Sequence, residues 1–151
     1  MLHMTPSAWL WTFLKQYERF RPTAYPATAD ERRRGIWTIG WGHTAGVKEG
    51  DTCTMAQANE WLQDDVAEAV LEVCRAVTHP LTQNQFDALV SLCFNIGIHN
   101  FAGCGLLKFV NAGNMTAAAA DFINWDKQQG VVLDGLENRR EAEAAHFRLA
   151  A

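Results

Sequence analysis

Apolar residues recur at helical spacing near the start of the chain. Leu10, Phe13, Leu14 and Tyr17 fall on one face, so the opening segment is predicted to be a helix with one side buried. Thr5-Pro6 marks its start, a hydroxyl cap followed by a proline at the first helical position, where the missing N–H removes no hydrogen bond. Pro22 disfavours helical backbone in the residue before it, so the helix is expected to fail near Arg21, with Glu18 on its last turn. The period then changes. From Ala24 to Thr44 aromatic and β-branched residues are interspersed with glycine, most densely in Trp37-Thr38-Ile39-Gly40-Trp41-Gly42-His43-Thr44. That composition predicts the strands of a small sheet with close backbone approaches. Asp30 to Gly35 is polar and is expected to form the turn between strands.

Beyond Gly50 the pattern is helical. Thr54-Met55-Ala56-Gln57 has the form of a capping box, followed by Leu62, Val66, Val70, Val73 and Val77 on one face until Pro80 ends the run. Thr82-Gln83-Asn84-Gln85 is a second such cap, leading into Phe86, Leu89, Val90 and Cys93 and stopped by Gly97. A short helix is predicted from about Gly105 to Asn111, ending at Gly113, and another from Met115, behind the Asn114 cap, to about Trp125. Asp134-Gly135-Leu136-Glu137 caps a last helix that runs to the C-terminus. No repeat or linker interrupts this order. The expectation is a single α+β domain over residues 1–151. A small sheet lobe at about 22–50 would pack on a helical lobe made of about 51–151 plus the N-terminal helix, with a cleft between them.

Composition narrows the class. A chain of 151 residues, 48% hydrophobic and 20% charged, has the material for one buried core. The net charge of −4 argues against a nucleic-acid partner, although basic residues outnumber acidic ones through Gly50, an imbalance that suits an anionic polymer. The run Arg32-Arg33-Arg34 reads equally as a solvated loop. Cys53, Cys74, Cys93 and Cys104 form no C-x-x-C pair and are read as reduced thiols, Cys74 and Cys93 on apolar helical faces. The five histidines show no metal-ligand spacing, so neither a metal nor a cofactor is expected. No stretch is long and apolar enough to span a membrane. The apolar patch from Trp9 to Phe13 lacks the flanks of a signal peptide, and the chain is expected to be made in a cytoplasm.

Glu18 stands out chemically. The partial negative charge at a helix C-terminus disfavours an ionised carboxylate nearby, so Glu18 is expected to lean toward its protonated form. A carboxylic acid that keeps its proton near neutral pH can donate it to a leaving group.

The surrounding residues carry a resemblance. Glu18-Arg19-Phe20-Arg21-Pro22-Thr23-Ala24-Tyr25, followed by Gly35-Ile36-Trp37-Thr38-Ile39-Gly40-Trp41-Gly42-His43-Thr44, resembles the active-site signature of phage-type lysozymes (endolysins), glycoside hydrolase family 24. Pro80-Leu81-Thr82-Gln83-Asn84-Gln85-Phe86-Asp87-Ala88-Leu89 and Phe94-Asn95-Ile96-Gly97 resemble the family's central helix, and Gly135-Leu136-Glu137-Asn138-Arg139-Arg140 the start of its C-terminal helix. The matches come in the family's order and span nearly the whole chain. The resemblance implies a lysozyme-like fold and a monomeric muramidase of host lysis that cuts the N-acetylmuramic acid–N-acetylglucosamine bond of bacterial peptidoglycan. Such an enzyme would act in the periplasm after release. It implies Glu18 as the acid and Thr38 as a holder of the attacking water. Phe94 and Asn95 match positions that touch the sugar chain, and Arg139 matches an arginine near the catalytic Glu. His43, in the sheet motif, joins the substrate-binding candidates, its simpler role being that of a structural hydrogen-bonder.

One position departs from the family. Its usual Asp, nine residues after the catalytic Glu, is here Ala27, which cannot activate water. Asp30 and Glu31 follow closely, in a segment before Trp37 that is longer than in compact members. Asp30 is therefore the candidate base, and equally a turn residue. Three outcomes stay open: an inverting hydrolase with Asp30 or Glu31 as base, a lytic transglycosylase using Glu18 alone, and a non-catalytic peptidoglycan-binding module.

Overall fold

Helix α1 (Ala8–Glu18) starts later than Thr5-Pro6 suggests. Ser7 is held instead by Asp87, whose carboxylate accepts from the Ser7 N–H at 3.1 Å and from its hydroxyl at 2.5 Å. The helix also stops before Pro22 can act. Arg19 takes a left-handed conformation (φ 54°), which leaves Glu18 as the final helical residue.

In this computed structural model residues 1–125, 127–128, 131–132 and 134–150 are described. They form two compact units, Thr12–Ala67 and Met1–Trp11 with Glu68–Ala151. In the first unit strand β1 (Arg21–Tyr25) pairs antiparallel with β2 (Thr38–Gly40), Arg21 opposite Gly40 and Tyr25 opposite Thr38. The longer strand bulges to keep both pairings. The expected turn at Asp30 to Gly35 is instead a short helix, α2 (Ala29–Arg33). The Thr28 hydroxyl caps it by accepting the Glu31 N–H at 3.1 Å. Asp30 and Glu31 sit in its first turn and Arg32 and Arg33 in its last, the charge order that a helix dipole favours.

Helix α3 (Met55–Ala76) begins with the expected reciprocal cap. Thr54 Oγ1 accepts the Gln57 N–H, and Gln57 Oε1 accepts the Thr54 N–H. Leu62 and Val66 are buried with Phe13, Leu14, Ala24, Ile39 and Ala58 in the core of this unit. Gly40 (φ 64°) lets β2 lie directly on the helix, because a Cβ there would come within 2.9 Å of Ala58 Cβ.

The helical unit contains α4 (Gln83–Ile96), with its Thr82–Gln85 capping box, ended by Gly97 at φ 90°. Then come α5 (Ile98–Gly103), α6 (Gly105–Asn111) and α7 (Met115–Asp121), with a 3₁₀ turn over Phe122–Trp125. The hairpin β3–β4 (Lys127–Gln128, Val131–Val132) and α8 (Asp134–Arg148) complete it. Helix α5 and the hairpin go beyond the sequence reading, since such short elements contain too few residues to set a period. The mostly helical chain with its small antiparallel sheet is the α+β class expected. Cys74, Cys93 and Cys104 are buried as free thiols. Burial, with Glu72 and Cys104 adding to it, pushes the Cys93 thiol up to about 12.

Packing between α4 and α8 encloses charge. Glu143 is fully buried, and its Oε1 accepts from Ser91 Oγ (2.7 Å), Arg140 Nη2 (2.7 Å) and Arg139 Nε (3.2 Å). Removing the acceptor leaves two buried guanidinium groups short of their carboxylate. Glu143→Ala should therefore lower the unfolding free energy by about 3 kcal/mol, measured by urea denaturation. A change within the error of the urea curve would mean that the network adds nothing to stability.

Candidate active site

Because α1 ends at Glu18, the carboxylate projects from a helix terminus that is only half-buried. Gly42, on the tight turn after β2, makes room for it. A Cβ built at Gly42 would overlap Glu18 Oε2 and crowd its Cδ at 3.1 Å, and the φ of +88° already favours glycine. The backbone of the Trp37–Thr44 motif therefore sits directly against the carboxylate. The turn that presents Gly42 is closed by two hydrogen bonds, Ile39 N–H to the His43 carbonyl and His43 N–H to the Ile39 carbonyl, both 2.9 Å.

Thr38 lies on β2, 5% exposed, opposite Tyr25. Tyr25 is the residue that sequence reasoning did not single out. Its phenol has a pKa raised above the ordinary value of 10.0, chiefly by burial. The Arg21 guanidinium, 4.7 Å over the ring, opposes the shift, while the charges of Glu18 and Glu31 add to it. One hydroxyl thus lies within electrostatic reach of both carboxylates.

Asp30, the expected base, points its carboxylate at Arg33 and Arg34, each with an N–O distance of 3.4 Å. Ala27 is exposed between β1 and the Thr28 cap. His43 is held from α3. Its Nδ1–H donates to Asp65 Oδ2 at 2.8 Å, and its ring stacks on Trp61 at 4.7 Å between centroids. Trp41 Nε1 donates to Asn59 Oδ1 at 3.0 Å, and the Trp41 ring meets Phe20 at 5.5 Å and Lys15 Nζ at 5.3 Å. Ala58, Trp61 and Asp65 recur at helical spacing on α3, and Asn59 follows Ala58. That period was visible in the sequence, but only the pairing across to the sheet motif shows what its polar members do.

The remaining candidates belong to the helical unit. Phe94 is half-buried near the end of α4. Asn95 Oδ1 accepts from Arg140 Nη1 at 2.9 Å, and Arg139 is buried against Glu143. Arg140 and Glu143, which lock both in place, were missed. Their spacing of three residues on α8 was the available signal.

A family model described as phage lysozyme matches residues 15–143. The endolysin of Acyrthosiphon pisum secondary endosymbiont phage 1 is 40% identical over 141 residues, covering 91% of this chain and 93% of that protein. The endolysin of Salmonella phage P22 is 41% identical over 141 residues, covering 90% and 92%. Among solved structures, the muramidase domain of SpmX from Asticaccaulis excentricus superposes with a TM-score of 0.87 at 38% identity, covering 98% of this chain and 100% of that one.

The electrostatics around Tyr25 can be measured. Only Tyr17 and Tyr25 are present, so in a Tyr17→Phe background an ultraviolet titration follows the Tyr25 phenol alone. Neutralising either acid, by Glu18→Gln or Glu31→Gln, should move its midpoint downward. A midpoint unmoved in both variants would show the carboxylates to be screened from the phenol.

Proposed function

The chain belongs to the phage lysozyme family, and from that premise we propose that Glu18 is the acid of its reaction and Thr38 the residue that positions the attacking water. The protein is a glycoside hydrolase, a muramidase that cleaves bacterial peptidoglycan between N-acetylmuramic acid and N-acetylglucosamine. The reaction breaks the bond between the anomeric carbon and the glycosidic oxygen. A carboxylic acid at Glu18 hands its proton to that departing oxygen, so that an alcohol leaves rather than an alkoxide. Water then completes the sugar at the anomeric carbon. A threonine hydroxyl can both donate and accept a hydrogen bond, which suits Thr38 to orienting that water.

The observation that supports Glu18 most directly is its contact with Gly42. The side chain is pressed against the motif that carries Thr38, and any larger residue at position 42 would displace it. Phe94, Asn95 and Arg139 enter this proposal through the family resemblance, as residues of the sugar site. We place the enzyme's action at the cell wall, as a monomer made in the host cytoplasm and released to its substrate. Among the described residues no helix is long and apolar enough to cross a membrane.

Digestion of purified sacculi tests this assignment. The wild-type protein should release soluble muropeptides with free reducing ends, and Glu18→Gln should lower the rate by about 1,000-fold or more. Anhydro sugar ends would instead mark a transglycosylase. Gly42→Ala, which forces the carboxylate aside, should cost about 100-fold in kcat while leaving binding to sacculi largely intact. Undiminished release by Glu18→Gln would remove the acid from the proposal.

A further inference from the structure

The position of the Glu18 carboxyl depends on two pieces of chain, the end of α1 and the turn that carries Gly42. We propose that Trp41, pinned by Asn59, is the positioning residue that holds these two pieces together and so keeps Glu18 in place for proton transfer. This rests on the reading of Glu18 as the acid and adds two residues that act through it.

Trp41 stands between Gly40 and Gly42, so the backbone on either side of it has no side chain of its own to fix it. The indole supplies that restraint through three contacts. Its Nε1–H donates to Asn59 Oδ1 on α3 at 3.0 Å. Lys15 Nζ lies 5.3 Å from the ring centroid, within the range of a cation–π attraction. The Phe20 ring meets it at 5.5 Å with a tilt of 49°, an arrangement that aromatic pairs favour. The half-buried indole thus has its polar edge satisfied on one helix and its ring engaged by two side chains from the acid's own segment.

Those two side chains bracket Glu18. Lys15 sits on the last turn of α1, three residues before the acid, and its carbonyl receives the Arg19 N–H at 3.2 Å. Phe20 follows two residues after the acid, beyond the left-handed Arg19. Trp41 therefore touches the chain on both sides of Glu18, while its own next residue, Gly42, lies against the carboxylate. Every residue in this arrangement belongs to the Thr12–Ala67 unit.

Asn59 fixes where the indole rests. It follows Ala58, the residue on which β2 lies at Gly40, so the pin is set beside the closest approach of strand and helix. Losing the Asn59 bond leaves Trp41 free to turn about its side-chain torsions, and Gly42 moves with it. A general acid has to stay within hydrogen-bond reach of the leaving oxygen, and a displacement of about 1 Å costs on the order of 100-fold in rate. An aromatic cluster that only stabilised the unit would leave kcat of the folded protein unchanged.

The test measures kcat and KM on purified sacculi, with circular dichroism confirming that each variant is folded at the assay temperature. Trp41→Ala should lose about 100-fold in kcat with KM little changed. Trp41→Phe keeps a ring against Phe20 and Lys15 but lacks the N–H, and should lose about 10-fold. Asn59→Leu should match it, and the two together should cost no more than either alone, because both break one bond. Asn59→Asp retains the acceptor and should recover most of the rate. The nuclear Overhauser effect between the Gly42 Hα protons and the Glu18 side chain reads the geometry directly. It should be kept in Asn59→Asp and weakened in Asn59→Leu and Trp41→Ala. Should Trp41→Ala fail to fold, Trp41→Phe and Asn59→Leu decide. Wild-type kcat in Asn59→Leu and Trp41→Phe, or a lost rate with the Overhauser effect intact, would overturn the assignment. If wild type itself releases no muropeptides, the muramidase reading fails, and an unchanged Overhauser effect across the series would separately show that Trp41 does not position Glu18.

Discussion

A helix terminus and a glycine must meet for this site to exist. Glu18 is the last residue of α1 because Arg19 turns left-handed, and the space its carboxylate occupies exists because Gly42 has no side chain. Neither condition tolerates much change. A helix one turn longer would carry the carboxylate away from β2, and a Cβ at position 42 would fill its place. The small sheet follows from the same constraint. Two hydrogen bonds between Ile39 and His43 close the turn that presents Gly42, and Gly40 brings β2 down onto Ala58 of α3. Close backbone approach is the common device, and glycine is the residue that permits it.

Polar side chains hold this arrangement from behind. His43 reaches Asp65 and stacks on Trp61, and Trp41 reaches Asn59, so α3 anchors the second half of the motif. In the helical unit a different solution appears. There Glu143 gathers Ser91, Arg139 and Arg140 between α4 and α8, and Arg140 extends the network to Asn95. A buried carboxylate with three donors is a rigid object. Asn95 and Arg139 are thereby oriented by neighbours, which is the state a residue needs before it can contribute to recognition without further ordering.

Motif order along the chain was enough to identify the family, because Glu18, the Trp37–Thr44 run and the α4 and α8 segments all match it in sequence. Helix boundaries followed where side-chain caps set them. Thr54–Gln57 and Thr82–Gln85 both form the reciprocal bonds that their spacing suggested, and Gly97 stops α4 as expected. Boundaries failed where distant residues decide. Asp87 holds Ser7, far along the chain, and moves the start of α1 away from Thr5.

Residue type and spacing by themselves determined that Glu18 ends a helix, that glycine-rich strands follow it, and that the familiar Asp is replaced by Ala27. They pointed to Asp30 as the candidate base, in a polar stretch that also carries Glu31. Only the tertiary structure separates them. A five-residue helix rotates successive side chains by roughly 100°, so one acid faces the arginines of its own helix while the other has a buried oxygen and its charge reaches Tyr25. Sequence proximity carries no information about which side of a backbone a group faces; the helix and what packs against it decide that.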